Sequence, residues 1–327
     1  MTHTIIRFDC RCPAFSPAEP QEVFQAALDM AEWADDKGFT ALVLSEHHGA
    51  EDGYLPSPLV MAGAVAGRAP RIPITIAALL LPLHDPVRVA EDLAVLDLLS
   101  GGRVSVVAGL GYRPEEYALF DVPWEARGKR MEQQLETMLR AWSGEALEVD
   151  GHQVQVTPLP ATRPHPTVFV GGSTELAARR AARLGLGFWP ALHDPELEQA
   201  YQDECERVGK EPGMVAMPPP EYSTVFVAED PDDGWERLGP HLLHDTVAYK
   251  SWQRAGQRSA VESDASTVEE LRAGGLFRIL TPAECIEHAQ RTKALALHPM
   301  CGGIPPDVAW ESLRLVESEV LPQLTQT

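Results

Sequence analysis

The chain has 327 residues, 44% hydrophobic and 23% charged, so it can bury a large core and is not expected to be disordered. Its formal net charge of −21, with no block of Lys and Arg, argues against nucleic acid and anionic membranes as partners. No apolar run approaches the length of a membrane helix and no signal-like segment opens the chain, so we expect a cytoplasmic protein. Five cysteines at scattered spacings indicate reduced thiols.

Short apolar runs alternate with amphipathic segments along the chain, a pattern typical of a parallel α/β fold. Strands are predicted at 5–8, 41–44, 72–81, 104–108, 168–170, 187–192, 222–228 and 295–298. Helices are predicted at 19–37, 58–68, 86–98, 127–142, 175–184, 195–208, 282–295 and 306–321. The segments 113–126, 145–166 and 230–280 interrupt this repeat and are interpreted as insertions, the last of them the least regular.

Eight strands, mostly each followed by a helix, favour one (β/α)₈ TIM-type barrel over residues 1–327, with the insertions at the carboxyl face of the strands. No glycine fingerprint of a dinucleotide-binding fold is present, so a doubly wound sheet is the second choice. In a barrel, residues at the carboxyl ends of the strands form the functional site. The strand ends are therefore the informative positions.

The second predicted strand ends in the most distinctive stretch, Ser45-Glu46-His47-His48, before a Gly-rich acidic loop. Imidazole titrates near neutral pH, and histidine beside carboxylate is suited to proton transfer. We predict that His47 is a general base or proton donor. Glu46 is expected to orient a histidine or to cap a neighbouring loop. Strand alternation would send His48 to the opposite side, in a structural role.

Two other strand ends are rich in glycine: Gly109-Leu110-Gly111-Tyr112, and Gly171-Gly172-Ser173 at the start of a predicted helix. Glycine lets the backbone approach a phosphate, and a helix N-terminus presents free amides to it. A simple strand-to-helix turn with Ser173 as N-cap is the structural alternative.

A zinc hydrolase with His47, His193 and His298 as ligands is a further alternative. It is disfavoured because the sequence contains no His-x-His pair and adjacent histidines on a strand are poor co-ligands.

Taken in order, these motifs resemble the bacterial luciferase-like flavin-dependent monooxygenases, over most of the chain. The resemblance rests on Phe39 to His48 with its Glu-His-His ending, on Ala77-Ala78 through Pro82, and on Ser100-Gly101-Gly102-Arg103. It continues through Val170-Gly171-Gly172-Ser173 and Thr281-Pro282-Ala283-Glu284. Residues 230–275 carry no recognisable match.

The resemblance implies a TIM-type barrel enzyme that uses reduced FMN, supplied by a separate flavin reductase, with O₂ and a small organic substrate. It implies a flavin ring beside Ala77-Ala78, whose peptide bond is expected to be cis, and also a homodimer. The candidate catalytic residues are His47 and Glu46. The candidate cofactor-binding residues are Ala77, Ala78, Gly109, Tyr112, Gly171, Gly172, Ser173 and Thr174.

The sequence departs from the family pattern at Leu110, where many FMN-dependent members carry a phosphate-binding arginine. Arg113 is a candidate replacement. A branch of the same superfamily uses a deazaflavin coenzyme for hydride transfer, and this remains an alternative, although the Glu-His-His signature favours FMN. A non-catalytic flavin-binding protein is the third alternative.

Overall fold

The computed structural model describes residues 2–149, 151–253 and 263–324, in which strands and helices alternate. The strands are β1 (His3–Phe8), β2 (Ala41–Leu44), β3 (Ile74–Leu79), β4 (Val104–Ala108), β5 (Leu147–Val149), β6 (His152–Val154), β7 (Thr167–Gly171), β8 (Gly187–Trp189), β9 (Thr224–Val227), β10 (Phe277–Leu280) and β11 (Ala294–Leu297). The helices are α1 (Pro20–Asp36), α2 (Pro58–Arg68), α3 (Pro86–Ser100), α4 (Pro114–Leu119), α5 (Arg127–Ser143), α6 (Glu175–Leu184), α7 (Pro195–Val208), α8 (Pro231–Trp252), α9 (Val268–Gly274), α10 (Pro282–Thr292), α11 (Pro306–Leu315) and α12 (Leu321–Leu324). Within these ranges, none of the helices combines the length and apolar character that crossing a bilayer requires.

The chain divides into two compact units. The first unit contains the residues up to Val43, the segment Ala50–Pro56 and the residues from Pro219 onwards. Its strands follow the order β10-β9-β11-β1-β2, and β1 pairs with β11 in parallel, with Ile5 opposite Ala296. Burial alternates along β1 and β10, in which Ile6, Phe8, Phe277 and Ile279 are buried and Arg7 and Arg278 are half-buried.

The second unit contains Leu44–Gly49 and Ser57–Pro218, with the parallel strand order β3-β4-β7-β8. Leu79 of β3 lies opposite Ala108 of β4, and Ala108 lies opposite Val170 of β7. Because the strands are parallel, their carboxyl ends share one edge of the sheet. The segment 145–166, interpreted as an insertion, contains a hairpin formed by β5 and β6.

Helix starts in both units follow local sequence chemistry. Asp85, before Pro86, accepts hydrogen bonds from the backbone N–H groups of Val87 and Arg88 at 2.9 Å. Thr281 and Glu284 form a reciprocal capping box at the start of α10. In these two cases the motifs Asp-Pro and Thr-Pro-x-Glu mark the residue at which the helix begins.

The segment 230–280, interpreted from the sequence as the least regular insertion, is more regular than expected in the part that the structure describes. It contains the 22-residue helix α8, the helix α9 and the additional strand β10, which pairs with β9. The glycines in α8 leave space for neighbouring elements. A Cβ at Gly239 would lie 2.5 Å from Val268 of α9, and one at Gly234 would lie 2.7 Å from Ile279 of β10. Residues 254–262 lie outside the described ranges.

Arg103, which precedes β4, joins the ends of two helices in the second unit. Its Nε donates to the carbonyl of Ser100 at 2.8 Å, and its Nη1 donates to the carbonyls of Ala69 at 3.0 Å and Ile72 at 2.6 Å. Its Nη2 donates to the carbonyl of Ala66 at 3.2 Å. One half-buried guanidinium thus satisfies four carbonyl oxygens at and just beyond the ends of α2 and α3, where helices leave such groups without partners.

We expect Arg103→Lys to destabilise the fold by about 2–4 kcal/mol, because one ammonium cannot reach four carbonyls and hydrogen bonds to charged groups contribute about 1.5–3 kcal/mol each. Arg88→Lys is the matched control, since Arg88 is exposed and its guanidinium pairs with Glu91 and Asp92 on its own helix. It should cost less than about 0.5 kcal/mol. Urea unfolding followed by circular dichroism measures both changes, and equal losses would contradict this role of Arg103.

Candidate functional site

Glu46, just beyond β2, is a buried carboxylate surrounded by donors. One of its oxygens accepts hydrogen bonds from His48 Nε2 at 2.8 Å and from His84 Nε2 at 2.7 Å. The other accepts the backbone N–H of Leu80 at 2.6 Å. Burial raises the pKa of this carboxyl, but the hydrogen bonds from His48 and His84 outweigh it and lower the pKa to about 2. Glu46 is therefore an anion that fixes two imidazoles and the chain after β3.

His47 has a separate set of contacts in the same unit. Its Nδ1 lies 2.9 Å from Glu116 Oε1, and its Nε2 lies 3.0 Å from the Tyr112 hydroxyl. The His47 side chain is 6% exposed and that of Glu116 is fully buried. Because Glu116 Oε1 already accepts the backbone N–H of His48, we assign the imidazole hydrogen to Nδ1, and Nε2 then accepts from the Tyr112 O–H. The three groups form a chain along which a proton can move.

The two adjacent histidines have different partners, as the sequence suggested, but strand alternation is not the reason. β2 ends at Leu44, so both histidines lie in the following loop and both are buried. His48 packs edge-on against Phe120, with ring centroids 4.7 Å apart, and donates to Glu46. His47 contacts Glu116, so Glu46 does not orient the histidine beside it.

Glu116 and Arg113 complete the surroundings of His47. Glu116 lies in α4, within the segment 113–126 that was interpreted as an insertion, and its Oε1 also accepts the backbone N–H of His48 at 3.0 Å. The buried guanidinium of Arg113 donates to the His48 carbonyl at 3.0 Å and to Glu116 at 3.3 Å. The guanidinium of Arg113 is therefore bound to the same groups that surround His47. Pro114, followed by two glutamates, was the sequence signal for α4.

A row of small residues lies along the carboxyl edge of this unit's sheet. The Ala77-Ala78 peptide is cis, as the family resemblance predicted, and both alanines are half-buried. A Cβ at Gly109 would lie 2.7 Å from the Cβ of Ala78, and one at Gly171 would lie 2.7 Å from Val107. Neighbouring strands therefore meet closely here, and the edge presents backbone in place of long side chains.

The turn from β7 into α6 requires glycine at position 172. Gly172 has a φ of +150°, and a Cβ there would lie 2.7 Å from the Cβ of Ala177. Ser173 is half-buried, but Thr174 is the N-cap, and its hydroxyl accepts the Ala177 N–H at 3.3 Å. The alternative that made Ser173 the N-cap is therefore wrong by one residue. The first N–H groups of a helix have no acceptor within it, so the start of α6 can present donors to an anion.

The alternative zinc set of His47, His193 and His298 is not formed among the described residues. In the part of the chain that the structure describes, potential metal ligands come close together in two groups, and neither group contains His47 or His193. His193 is exposed and contacts the carbonyl of Pro218 through Nδ1 at 2.9 Å.

The chain matches the family model for luciferase-like monooxygenases over residues 7–296. It is 32% identical over 163 residues to the protein y4wF of Sinorhizobium fredii, with 48% of each chain covered, so it spans about half the length of that curated relative. The monooxygenase RslO1 from Streptomyces bottropensis superposes with a TM-score of 0.72 and 25% identity, covering 98% of this chain and 99% of that one. The oxygenating constituent of 3,6-diketocamphane monooxygenase of Pseudomonas putida, solved in complex with FMN, gives a TM-score of 0.70 at 18% identity, covering 98% and 99%. The predicted α/β barrel fold is thereby confirmed.

Ionised Glu46 should make stability depend on pH. Its pKa of about 2 in the folded protein lies below the ordinary 4.5, so its stabilising effect is complete above pH 4.5 and is lost as the pH falls toward 2. We expect the difference in unfolding free energy between the wild type and Glu46→Gln to be about 2 kcal/mol smaller at pH 3 than at pH 7. Urea unfolding at both pH values measures this difference.

Glu145→Gln is the control for this experiment, because Glu145 is an exposed partner of Arg140. Its effect should stay within about 0.5 kcal/mol at both pH values. A difference for Glu46→Gln that does not change with pH would refute the buried anion.

Proposed function

The chain belongs to the luciferase-like monooxygenase family, and from this premise we propose that it uses reduced FMN and O₂ to oxidise a small organic substrate. The observation that carries the proposal is the hydrogen-bonded series Glu116–His47–Tyr112. Glu116 and His47 are buried, and Tyr112 is half-buried. A monooxygenase must move protons while it reduces oxygen, and this arrangement supplies a proton carrier at a place shielded from water.

The residues present fit a flavin. A planar ring needs a surface without protruding side chains, and the Ala78, Gly109 and Gly171 edge offers one. The turn of Gly172 and Ser173, with the first amides of α6, offers neutral hydrogen-bond donors for a phosphate. These two features lie in the same compact unit as His47. The FMN-bound relative from Pseudomonas putida shares this fold, which supports a flavin as the cofactor.

When bound, reduced FMN would supply the electrons that activate O₂. The chain's own residues would handle the protons. Tyr112 would exchange a proton with the reacting atoms through its hydroxyl, and His47 Nε2 would take or return that proton. Glu116 would stabilise the imidazolium through Nδ1. Glu46 acts through His48 and His84 and is a positioning residue.

We also propose that reduced FMN arrives from a separate flavin reductase and that the enzyme is a homodimer, as the family resemblance implies. The likeness to the oxygenating constituent of a monooxygenase supports the first of these. A constituent that only oxygenates depends on another protein for its reductant.

The direct test is titration of the purified protein with FMN, reduced FMN and the deazaflavin coenzyme, followed by oxygen uptake over a panel of small organic substrates. We expect saturable binding of reduced FMN and oxygen uptake that increases with one substrate class. Tight binding of the deazaflavin alone would favour hydride transfer. Binding of FMN without substrate-dependent oxygen uptake would favour a non-catalytic flavin-binding protein.

His47→Ala should bind reduced FMN nearly normally and lose about 10²–10⁴-fold in kcat, the usual contribution of a general acid or base. Tyr112→Phe should lose activity in the same direction because it removes the hydroxyl next to His47 Nε2. The control is His193→Ala, since His193 is exposed and contacts a backbone carbonyl of its own unit. Stopped-flow turnover measures the loss, and an unchanged kcat for His47→Ala would remove the proposed role.

Ser173→Ala should weaken FMN binding about 10-fold and leave riboflavin binding unchanged, because riboflavin lacks the phosphate that the turn is proposed to hold. Ser143→Ala is the matched control, since the Ser143 hydroxyl is exposed and donates to the Arg140 carbonyl at the end of α5. Fluorescence titration with both flavins gives the two affinities. Equal weakening of FMN and riboflavin by Ser173→Ala would contradict the phosphate site.

A further inference from the structure

Three chemically different potential metal ligands meet at the carboxyl ends of β1 and β11 in the first unit. Asp9 follows β1 and His298 follows β11, and these strands pair in parallel with Ile6 opposite Leu297. Cys301 lies three residues beyond His298. The three residues are 1%, 6% and 0% exposed, and one ligand atom from each lies within 4.8 Å of the other two.

Two of these atoms have no hydrogen-bond partner among the described residues. They are Asp9 Oδ2 and His298 Nε2, which lie 3.4 Å apart. The two atoms face each other at ion-pair distance, but neither makes a hydrogen bond to a described residue, and a buried carboxylate oxygen or imidazole nitrogen that lacks one is costly. A separation of 3.4 Å exceeds the usual hydrogen-bond distance of about 2.7–3.2 Å. It equals the edge of about 3.4 Å between two ligand atoms placed tetrahedrally about 2.0–2.1 Å from zinc.

We propose that Asp9 Oδ2, His298 Nε2 and Cys301 Sγ bind a zinc ion. Carboxylate, imidazole and thiolate are the three ligand types that zinc takes in proteins. The spacing His298-Pro299-Met300-Cys301 places two ligands on one short turn, in which the Cys301 N–H donates to the His298 carbonyl at 3.0 Å. Three protein ligands leave the fourth tetrahedral position to water or a small ligand.

The charges around the site accommodate a dication. The buried cation Arg11 follows Asp9 closely in the chain, and its guanidinium pairs with Asp52 at 2.6 Å and Asp245 at 2.5 Å. Two carboxylates thus pair with its side chain, and the hydrogen bond that Asp9 accepts from Arg11 comes from the Arg11 backbone N–H to Oδ1, at 3.2 Å. Asp9 Oδ2 and the Cys301 thiolate would then face the zinc ion. Zinc binds the thiolate form of cysteine, so binding would release the proton of the Cys301 thiol.

The group formed by Glu46, His48 and His84 in the second unit gives a useful contrast. Its donor and acceptor atoms lie 2.8 and 2.7 Å apart, which is hydrogen-bond distance, and the carboxylate also accepts the Leu80 N–H. None of its side-chain atoms is left buried without a partner in the described ranges. That group is complete without a metal, whereas the Asp9 group is not.

The test uses the full chain, stripped of metal with a chelator and titrated with Co²⁺ and then Zn²⁺. We expect one equivalent of Co²⁺ to bind with a near-ultraviolet thiolate-to-metal charge-transfer band, and Zn²⁺ to displace it. Cys301→Ser should abolish the band, and Asp9→Asn should weaken Co²⁺ binding at least 10-fold. Circular dichroism confirms that each variant is folded.

Cys285→Ser is the matched control, because Cys285 is equally buried in α10 but belongs to no group of potential ligands among the described residues. It should bind Co²⁺ as the wild type does. Absence of one-to-one binding by the wild-type protein would overturn the proposal whatever the variants do. A charge-transfer band that persists in Cys301→Ser would overturn it as well.

Discussion

A buried carboxylate must be surrounded by donors, and this requirement organises the loops of the second unit. Glu46 draws together His48, His84 and the backbone of Leu80. Glu116 draws together His47 and the backbone of His48. Separating these loops would leave a buried carboxylate without its donors, which costs several kcal/mol. The positions of the candidate catalytic groups follow from this electrostatic constraint.

His48 belongs to both carboxylate clusters. Its imidazole donates to Glu46, while its backbone N–H donates to Glu116, the partner of His47. A change at Glu46 therefore reaches His47 through His48 and Glu116. The adjacent histidines have distinct roles: His48 joins the two anions, and His47 keeps one nitrogen directed at Tyr112.

The sequence predicted those features that depend on local pattern. Apolar runs located most strands, and Asp-Pro and Thr-Pro pairs located helix starts. Contacts across the fold could not be predicted in this way. Glu116 could not be assigned to His47, because 69 residues separate them and only the folded unit brings them together. The purpose of the glycines of α8 could not be predicted for the same reason, since it is close packing against α9 and β10.

The contacts of Arg113 determine which groups remain to bind the phosphate of the proposed cofactor. Leu110 offers no charge, and the guanidinium of Arg113 is engaged with Glu116 and the His48 carbonyl. The turn of Gly172 and Ser173 would then hold a phosphate through neutral donors, in a chain whose net charge of −21 repels anions. Binding of this kind is weaker than binding to a paired arginine. It suits a reduced flavin that arrives, reacts and leaves, and under the proposed function FMN would behave as a diffusible co-substrate.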